Sequence, residues 1–289
     1  MLMNFRVLMN SDEMNNAAEL IGKIDRGERR IFEVGESLQG FDGCLRRLYY
    51  SDGKTIGVYS SCILNNALHA AIAFNTDLPD ELHNGLKDLI VEDCKYVKGK
   101  ADLWYRPENI KVLEVLKAFP NTGKPNSTHE LKVRSAYYNN LIPNKPDDWV
   151  LRPFELEYLD EVIDLLDSSL AHTFADTNTR PFRNNREINK KEWVSQAEWG
   201  EFDILYVSDN AAGVYILKGA EIDIIAVSPQ YQRRGIGRVL LHHAVDSIKD
   251  RCDEEPFLYC VDSNSAALRF YLREGLTVTG HSGNICLSK

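Results

Sequence analysis

The 289-residue sequence predicts an α/β protein with a mixed sheet, arranged as two domains in tandem. Three observations carry this expectation. Apolar runs of strand length alternate with stretches whose apolar residues recur at helical spacing. A polar segment with two prolines, Leu141-Ile-Pro-Asn-Lys-Pro-Asp-Asp148, breaks the pattern near the middle, as a linker does. Finally, segments of the first half recur in the second at nearly one offset, which points to duplication. A shift of 155 carries Asn109 onto Asn264 and Leu113 onto Leu268, and a shift of 156 carries Gly57-Val58-Tyr59 onto Gly213-Val214-Tyr215.

In order along the chain, Gly57–Tyr59 belongs to an early hairpin. Asp102–Arg106 reads as a short strand and Asn109–Leu116 as the helix after it. Beyond the linker, Trp149–Pro153 leads into an amphipathic helix over Leu156–Leu170, with Leu159, Val162, Ile163, Leu166 and Leu170 on one face. Phe202–Val207, Gly213–Leu217 and Glu221–Val227 read as strands, the first two joined by a turn at Ser208-Asp-Asn210. A helix follows Gly237, then a strand at Phe257–Val261 and a helix at Ser265–Arg273. The tail reads as a hairpin through Ser282-Gly283-Asn284. The expected domains are residues 1–145 and 149–289.

A hydrophobic fraction of 44% with 27% charged residues excludes a disordered or fibrous chain. The longest apolar runs fall far short of the roughly 20 residues that cross a bilayer. Met1–Arg6 lacks a charged-then-apolar signal pattern, so the expectation is a cytoplasmic protein without membrane partners. Six cysteines without a C-x-x-C pair fit reduced thiols better than a disulfide or zinc framework, and no metal is expected. The net charge of −9 falls entirely on residues 146–289, because the first 145 are balanced. That balance argues against a nucleic-acid surface and mildly favours a cationic partner.

Against this acidic background, one segment is basic: Ile222-Asp-Ile-Ile-Ala-Val-Ser-Pro-Gln-Tyr-Gln-Arg-Arg-Gly-Ile-Gly-Arg-Val-Leu-Leu241. It reads as a buried strand, a turn at Pro229, a glycine-containing loop and a helix. Gly235 and Gly237 let backbone amides approach a ligand, and the helix N-terminus favours an anion. With Arg233, Arg234 and Arg238 beside them, these features point to a phosphate-bearing ligand. Other phosphate motifs fit less well. The dinucleotide fingerprint needs glycine at Leu240, and a Walker loop fails because Pro125 follows Gly123-Lys124.

Val227-x-Pro229-x-x-Gln232-Arg-Arg-Gly-Ile-Gly237 resembles the pyrophosphate loop of the GNAT superfamily of acyl-CoA N-acyltransferases. Asn264-Ser-Ala-Ala-Leu-Arg-Phe-Tyr-Leu-Arg-Glu-Gly275 resembles that family's second motif. The resemblance implies a catalytic domain over 149–289, with acetyl-CoA as co-substrate and a primary amine as acceptor. Pantetheine would lie in a V-shaped splay between Glu221–Val227 and Phe257–Val261. Residues 1–145 would be a degenerate copy. There the loop's counterpart is Asp77-Leu-Pro-Asp-Glu-Leu82, which has no glycine and three acids, and Tyr271's counterpart is Leu116.

The resemblance also assigns roles. Tyr271 is the expected acid or donor to the departing sulfur. Glu221 is the candidate base, with Asp223 the alternative; alternation along the strand puts both on the face of Ile225 and Val227. Backbone groups of Ile225, Ala226 and Val227 would hold pantetheine and polarise the thioester. Gln232, Arg233, Arg234, Gly235, Ile236, Gly237 and Arg238 would cradle the phosphates. Asn264 would touch the CoA arm or cap its helix, and Arg273 would reach a phosphate or solvent. Tyr259 could orient substrate or water. Arg180, Arg183, Arg186, Trp193 and Trp199 belong to a long polar stretch that shapes an acceptor pocket or forms a surface loop. A non-catalytic acyl-CoA sensor and an O-acyltransferase are the rival functions.

Overall fold

The computed structural model describes residues 5–7, 10–133, 145–176 and 181–288; residues 141–144 of the expected linker and Arg180 lie outside them. The chain forms two compact units, residues 1–130 with 279–289 and residues 131–278. This differs from a single boundary at 145–149, because the C-terminal segment counts with the first unit.

In the first unit, β1 (Arg6–Val7) precedes α1 (Ser11–Ile21) and α2 (Arg26–Val34). Then come β2 (Phe41–Ser51), β3 (Ile56–Leu64), β4 (Ala67–Phe74), α3 (His83–Asp93), β5 (Ala101–Tyr105) and α4 (Ile110–Lys117). β6 (Asn126–Val133) passes into the second unit at Leu131. Neighbours from β1 to β4 are antiparallel, and β4 pairs with β5 in parallel. Local chemistry sets the boundaries. Asn10 and Asp25 cap α1 and α2 by accepting the N–H groups of Glu13 and Glu28, each at 2.8 Å. Asn65 and Asn66 take the two left-handed positions that a tight hairpin between β3 and β4 requires. Helices α1 and α2 cover one sheet face, where Ile21, Ile24 and Phe32 meet Val58, Ala71 and Ala73. Helices α3 and α4 cover the other, with Leu86, Leu89, Ile90 and Val112 against Tyr59, Leu68 and Ile72.

The second unit repeats this ladder. It runs β7 (Trp149–Pro153), α5 (Leu159–Ser169), α6 (Ala171–Asp176), α7 (Arg186–Glu198), β8 (Phe202–Val207), β9 (Asn210–Lys218), β10 (Glu221–Val227), α8 (Ile236–Lys249), β11 (Phe257–Val261) and α9 (Ser265–Arg273). The ladder from β7 to β10 is antiparallel and β10–β11 is parallel, the same sequence of pairings as β1 to β5. Ser208 and Asp209 occupy the left-handed turn positions between β8 and β9, as the sequence anticipates. Helix α8 buries Ile236, Leu240, Leu241 and Val245 on one face of the sheet, while α5 and α7 bury Val162, Leu166 and Trp193 on the other. No helix among the described residues is long and apolar enough to cross a membrane.

The tail corrects one expectation. β12 (Leu276–Leu287) is a continuous strand without a hairpin at Ser282–Asn284. Its C-terminal part pairs antiparallel with β5. Glycine serves close approach here, since a Cβ on Gly283 would lie 2.4 Å from the Tyr105 ring and one on Gly280 2.7 Å from the Ile24 carbonyl oxygen.

Asp25 gives the first unit a pH dependence. The residue is 6% exposed, and burial, with the charge of Glu28 next, pushes the carboxyl pKa up to about 6, against the N–H of Glu28. A folded pKa above the unfolded value of about 3.9 means the native state binds the extra proton between them. Stability then rises as pH falls from about 6 to 4, by about 3 kcal/mol in full. His69, raised by Glu28 against the downward pull of burial, acts in the same direction because its contribution is lost as pH rises through its folded pKa. Asp25→Asn keeps an oxygen for the cap, so it is expected to raise the urea midpoint at pH 7.5 and flatten its rise toward pH 5. A variant as pH-dependent as the parent would contradict this.

Candidate functional site

The second unit contains a cavity of about 880 Å³, lined by β10, the loop after it, the first turn of α8, and α9. Its origin is a wedge. β10 and β11 are in register at Glu221↔Phe257 and pair no further, whereas β4 and β5 stay in register over five positions, from Leu68↔Ala101 to Ile72↔Tyr105. Parallel strands that part in this way leave backbone groups of β10 facing open space.

At the open end the Val227 carbonyl accepts hydrogen bonds from Ser169 Oγ and Gln232 Nε2, both at 3.1 Å. A single helical turn at Pro229–Tyr231 follows. Then Arg233 (φ 60°) and Gly235 (φ 93°) take left-handed conformations and turn the backbone into the start of α8. No side chain caps that helix. Successive amides in such a loop, at an uncapped N-terminus, form a concave anion site. Gly235 is demanded by its φ. Gly237 is not demanded by the protein, since a Cβ there would sit 3.6 Å from Phe270 and 3.7 Å from Val227, ordinary contact distances. That Cβ would instead take up space in the cavity that Gly237 lines. If the loop holds acetyl-CoA, as its sequence resemblance implies, Gly237→Ala is expected to weaken that binding about tenfold, roughly 1.4 kcal/mol, with an unchanged melting temperature. Calorimetric titration alongside thermal unfolding checks both halves.

Of the residues expected from sequence, Ile225, Ala226, Val227, Gln232, Arg233, Gly235, Gly237, Arg238, Asn264 and Tyr271 line this cavity together. Arg234 is not among the lining residues and stacks over Tyr231 at 5.4 Å. Ile236 is 1% exposed and packs into the core beneath the loop, which leaves its backbone for the cradle. Asn264 Oδ1 caps α9 by accepting the Ala267 N–H at 3.1 Å. Tyr271 is 7% exposed, and burial, then the nearby Cys260, push its phenol well above the usual value. It therefore keeps its proton across the physiological range.

Glu221 and Asp223 do not line the cavity, and a β-bulge explains why alternation misplaces them. Ile222 faces Leu217 and Ile224 faces Ile216, so Asp223 is an extra residue in the ladder. Ile225 and Val227 consequently pack on the α8 face together with Ile222, and Ile224 and Ala226 on the α5 face. Asp223 forms an ion pair with Lys218 at 2.9 Å, and Glu221 and Glu192 add their charges to the same lysine. Other acceptor-pocket candidates have structural partners. Arg183 pairs with Asp164 and Arg186 with Asp160 on α5, and Trp193 is buried against Phe154 and Phe202. Trp199 is exposed.

The structure adds Ser169 and Glu274 to the cavity wall. The Glu274 carboxylate, 8% exposed, lies 3.0 Å from Arg238 and 3.5 Å from Arg273. It holds two cations at the mouth of the cradle. A glutamate before Gly275 carries no sequence signal for this, because its partner Arg238 belongs to another helix.

A family model described as "Acetyltransferase (GNAT) family" matches residues 171–276, which span the wedge, the loop and α9. A curated relative, the [Ribosomal protein bS18]-alanine N-acetyltransferase of Escherichia coli (strain K12), is 41% identical over 56 residues. That match covers 19% of this chain and 38% of the relative, so it spans well under half the relative's length. The solved GCN5-related N-acetyltransferase from Sphaerobacter thermophilus aligns over 98% of this chain and 94% of its own, at 14% identity and a TM-score of 0.55. A functionally unknown conserved protein from Staphylococcus epidermidis ATCC 12228 aligns over 80% of this chain and 91% of its own, at 14% identity and a TM-score of 0.51. At these identities the structural likenesses establish the fold.

Proposed function

With a GNAT-family acetyltransferase domain at residues 171–276, we propose that this protein transfers the acetyl group of acetyl-CoA to a primary amine of a small molecule or peptide, by direct attack of the amine on the thioester. The observation that carries this reading is the wedge between β10 and β11, which leads into the amide cradle at Gly235–Gly237. Acetyl-CoA supplies the activated acyl group. The cradle and Arg233 hold its phosphates, with Arg238 fixed by Glu274. Backbone N–H groups of Ile225–Val227 polarise the thioester carbonyl as oxyanion donors. Tyr271 gives its proton to the departing sulfur.

The amine must shed a proton, and Glu221, at the start of β10 and outside the cavity lining, is the proposed acceptor. Asp223, the alternative acceptor, is ion-paired with Lys218 at 2.9 Å. The acidic balance of residues 146–289 mildly favours a cationic acceptor. Glu221→Gln is expected to remove the acid limb from the pH profile of kcat/KM, and an unchanged profile would remove Glu221 from the mechanism.

The first unit is proposed as a degenerate copy that takes no CoA. Its β4 and β5 remain paired where β10 and β11 part. Asn109, the counterpart of Asn264, bonds the Phe74 N–H and the carbonyls of Phe74 and Thr76 at 2.8 to 3.1 Å. Arg106 reaches the same Phe74 carbonyl at 2.7 Å, and Asp77 accepts the Lys111 N–H at the start of α4. These bonds tie the end of β4 to the start of α4, which supports a first unit without a CoA loop.

The test is free-thiol release from acetyl-CoA over a panel of amines and alcohols, run with the full chain. Turnover with an amine supports the proposal. Turnover with alcohols alone would make it an O-acyltransferase, and tight binding without turnover would make it a sensor.

A further inference from the structure

In the first unit, register brings together two cysteines that lie far apart in sequence. Cys44 on β2 stands directly opposite Cys62 on β3. Cross-strand partners share a sheet face, with Cα atoms about 4.5–5.5 Å apart in an antiparallel pair. Disulfides span about 4.4–6.8 Å between Cα atoms. The Cys44 sulfur already leans across the gap, 3.9 Å from the carbonyl oxygen of Ser61, the group that leads into Cys62. The pair is asymmetric, since Cys44 is exposed and Cys62 is buried. Burial, and then the neighbouring Cys44, push the Cys62 thiol up to about 12.

β2 is also irregular at this point. Its register shifts on both sides of Cys44, between Phe41 and Gly43 and again between Cys44 and Arg46. A Cβ on Gly43 would meet nothing within 4 Å. Closing a disulfide needs the Cβ atoms about 3.8 Å apart, a small approach from the 4.5–5.5 Å of an ordinary strand pair. Cys286 is not a competing partner for Cys62. It lies at the far end of the same transverse row, beyond His69 and Asp102, and three strand spacings make about 14 Å.

We propose that Cys44 and Cys62 form a dithiol that a hydroperoxide converts to a reversible cross-strand disulfide. The exposed Cys44 sulfur attacks the peroxide, so its S–H gives way to S–OH while the O–O bond breaks and the alcohol, or water from hydrogen peroxide, departs. The Cys62 sulfur then attacks the sulfenyl sulfur. The S–OH bond breaks, the Cys62 proton leaves with the hydroxyl as water, and the S–S bond forms. Two thiols are oxidised and one peroxide is reduced. A disulfide between adjacent strands is among the more easily reduced kinds, which makes the change reversible by a dithiol.

The experiment treats the full chain with equimolar hydrogen peroxide, blocks remaining thiols by alkylation and maps the peptides. The expected product is a monomer with Cys44 linked to Cys62, two alkylatable thiols fewer, and full recovery with dithiothreitol. Cys44→Ser, at an exposed position, is expected to abolish the product. It should also abolish one-to-one binding of phenylarsine oxide, a probe of paired thiols that needs no oxidation. Cys62→Ala should instead accumulate a dimedone-reactive sulfenic acid at Cys44. Sulfinic acid at Cys44 with Cys62 still alkylatable, a disulfide between chains through Cys44, or a linkage to another cysteine would each overturn the proposal.

Discussion

Tyr271→Phe is expected to lower kcat for acetyl transfer by 10²–10³-fold, roughly 3–4 kcal/mol, with acetyl-CoA affinity changed by less than about twofold. The ring stays, so its contact with Phe270 at 5.2 Å and its place in the cavity wall persist. What disappears is the hydroxyl proton that the proposed mechanism gives to the departing sulfur. That interaction exists mainly in the transition state, so its loss falls on kcat rather than on binding. The pH profile supplies a second check. Burial holds the phenol protonated beyond its ordinary pKa of about 10, so wild-type kcat should show no alkaline limb from this group below that value. Thiol release under saturating substrates, with acetyl-CoA affinity measured separately, tests both statements. A variant within about twofold of wild-type kcat would remove Tyr271 from the chemistry.

The parts of this site that the sequence reveals are those built from neighbouring residues. The cradle was legible because a strand, a proline turn, two glycines and a helix start follow one another between Val227 and Arg238, and each has its own local signal. Asn264 was legible for the same reason, since its cap lies three residues ahead. The bulge at Asp223 was not. Alternation fixes faces only while every residue has a partner, and one extra residue resets it. Glu274 was not legible because its meaning comes from Arg238, on a helix 36 positions earlier. Gly280 and Gly283 show a different limit. Glycine marks a turn or a close approach with the same letter, and only the Tyr105 ring and the Ile24 carbonyl distinguish the two.

The duplication illustrates both sides of that limit, and it leads to the largest stability effect expected in the first unit. Tyr59 and Tyr215 match at the sequence offset, and each phenol donates to an aspartate carboxylate. The acids come from different elements, Asp203 from β8 and Asp93 from the end of α3, so the sequence offset reveals the tyrosines and not their partners. Asp93 is fully buried. Its oxygens accept from Arg46 Nε at 2.6 Å, Tyr59 OH at 2.8 Å and Ser61 Oγ at 2.6 Å. Asp93→Ala would leave two hydroxyl donors and a largely covered guanidinium without their acceptor, at a cost of about 3–5 kcal/mol. Glu92, 2.9 Å from Arg46, softens the loss for the cation but reaches neither hydroxyl by any bond in the structure. Asp93→Asn keeps the volume and one carbonyl oxygen but turns an NH₂ group toward donors, so about 1–3 kcal/mol is expected. Because a chain of two compact units need not unfold in one step, amide hydrogen exchange at Tyr59–Cys62 is the appropriate measure. Protection there should fall steeply in Asp93→Ala, less in Asp93→Asn, and little at β9 of the second unit. Equal protection in Asp93→Ala and wild type would mean that this buried carboxylate does not hold β3 against α3.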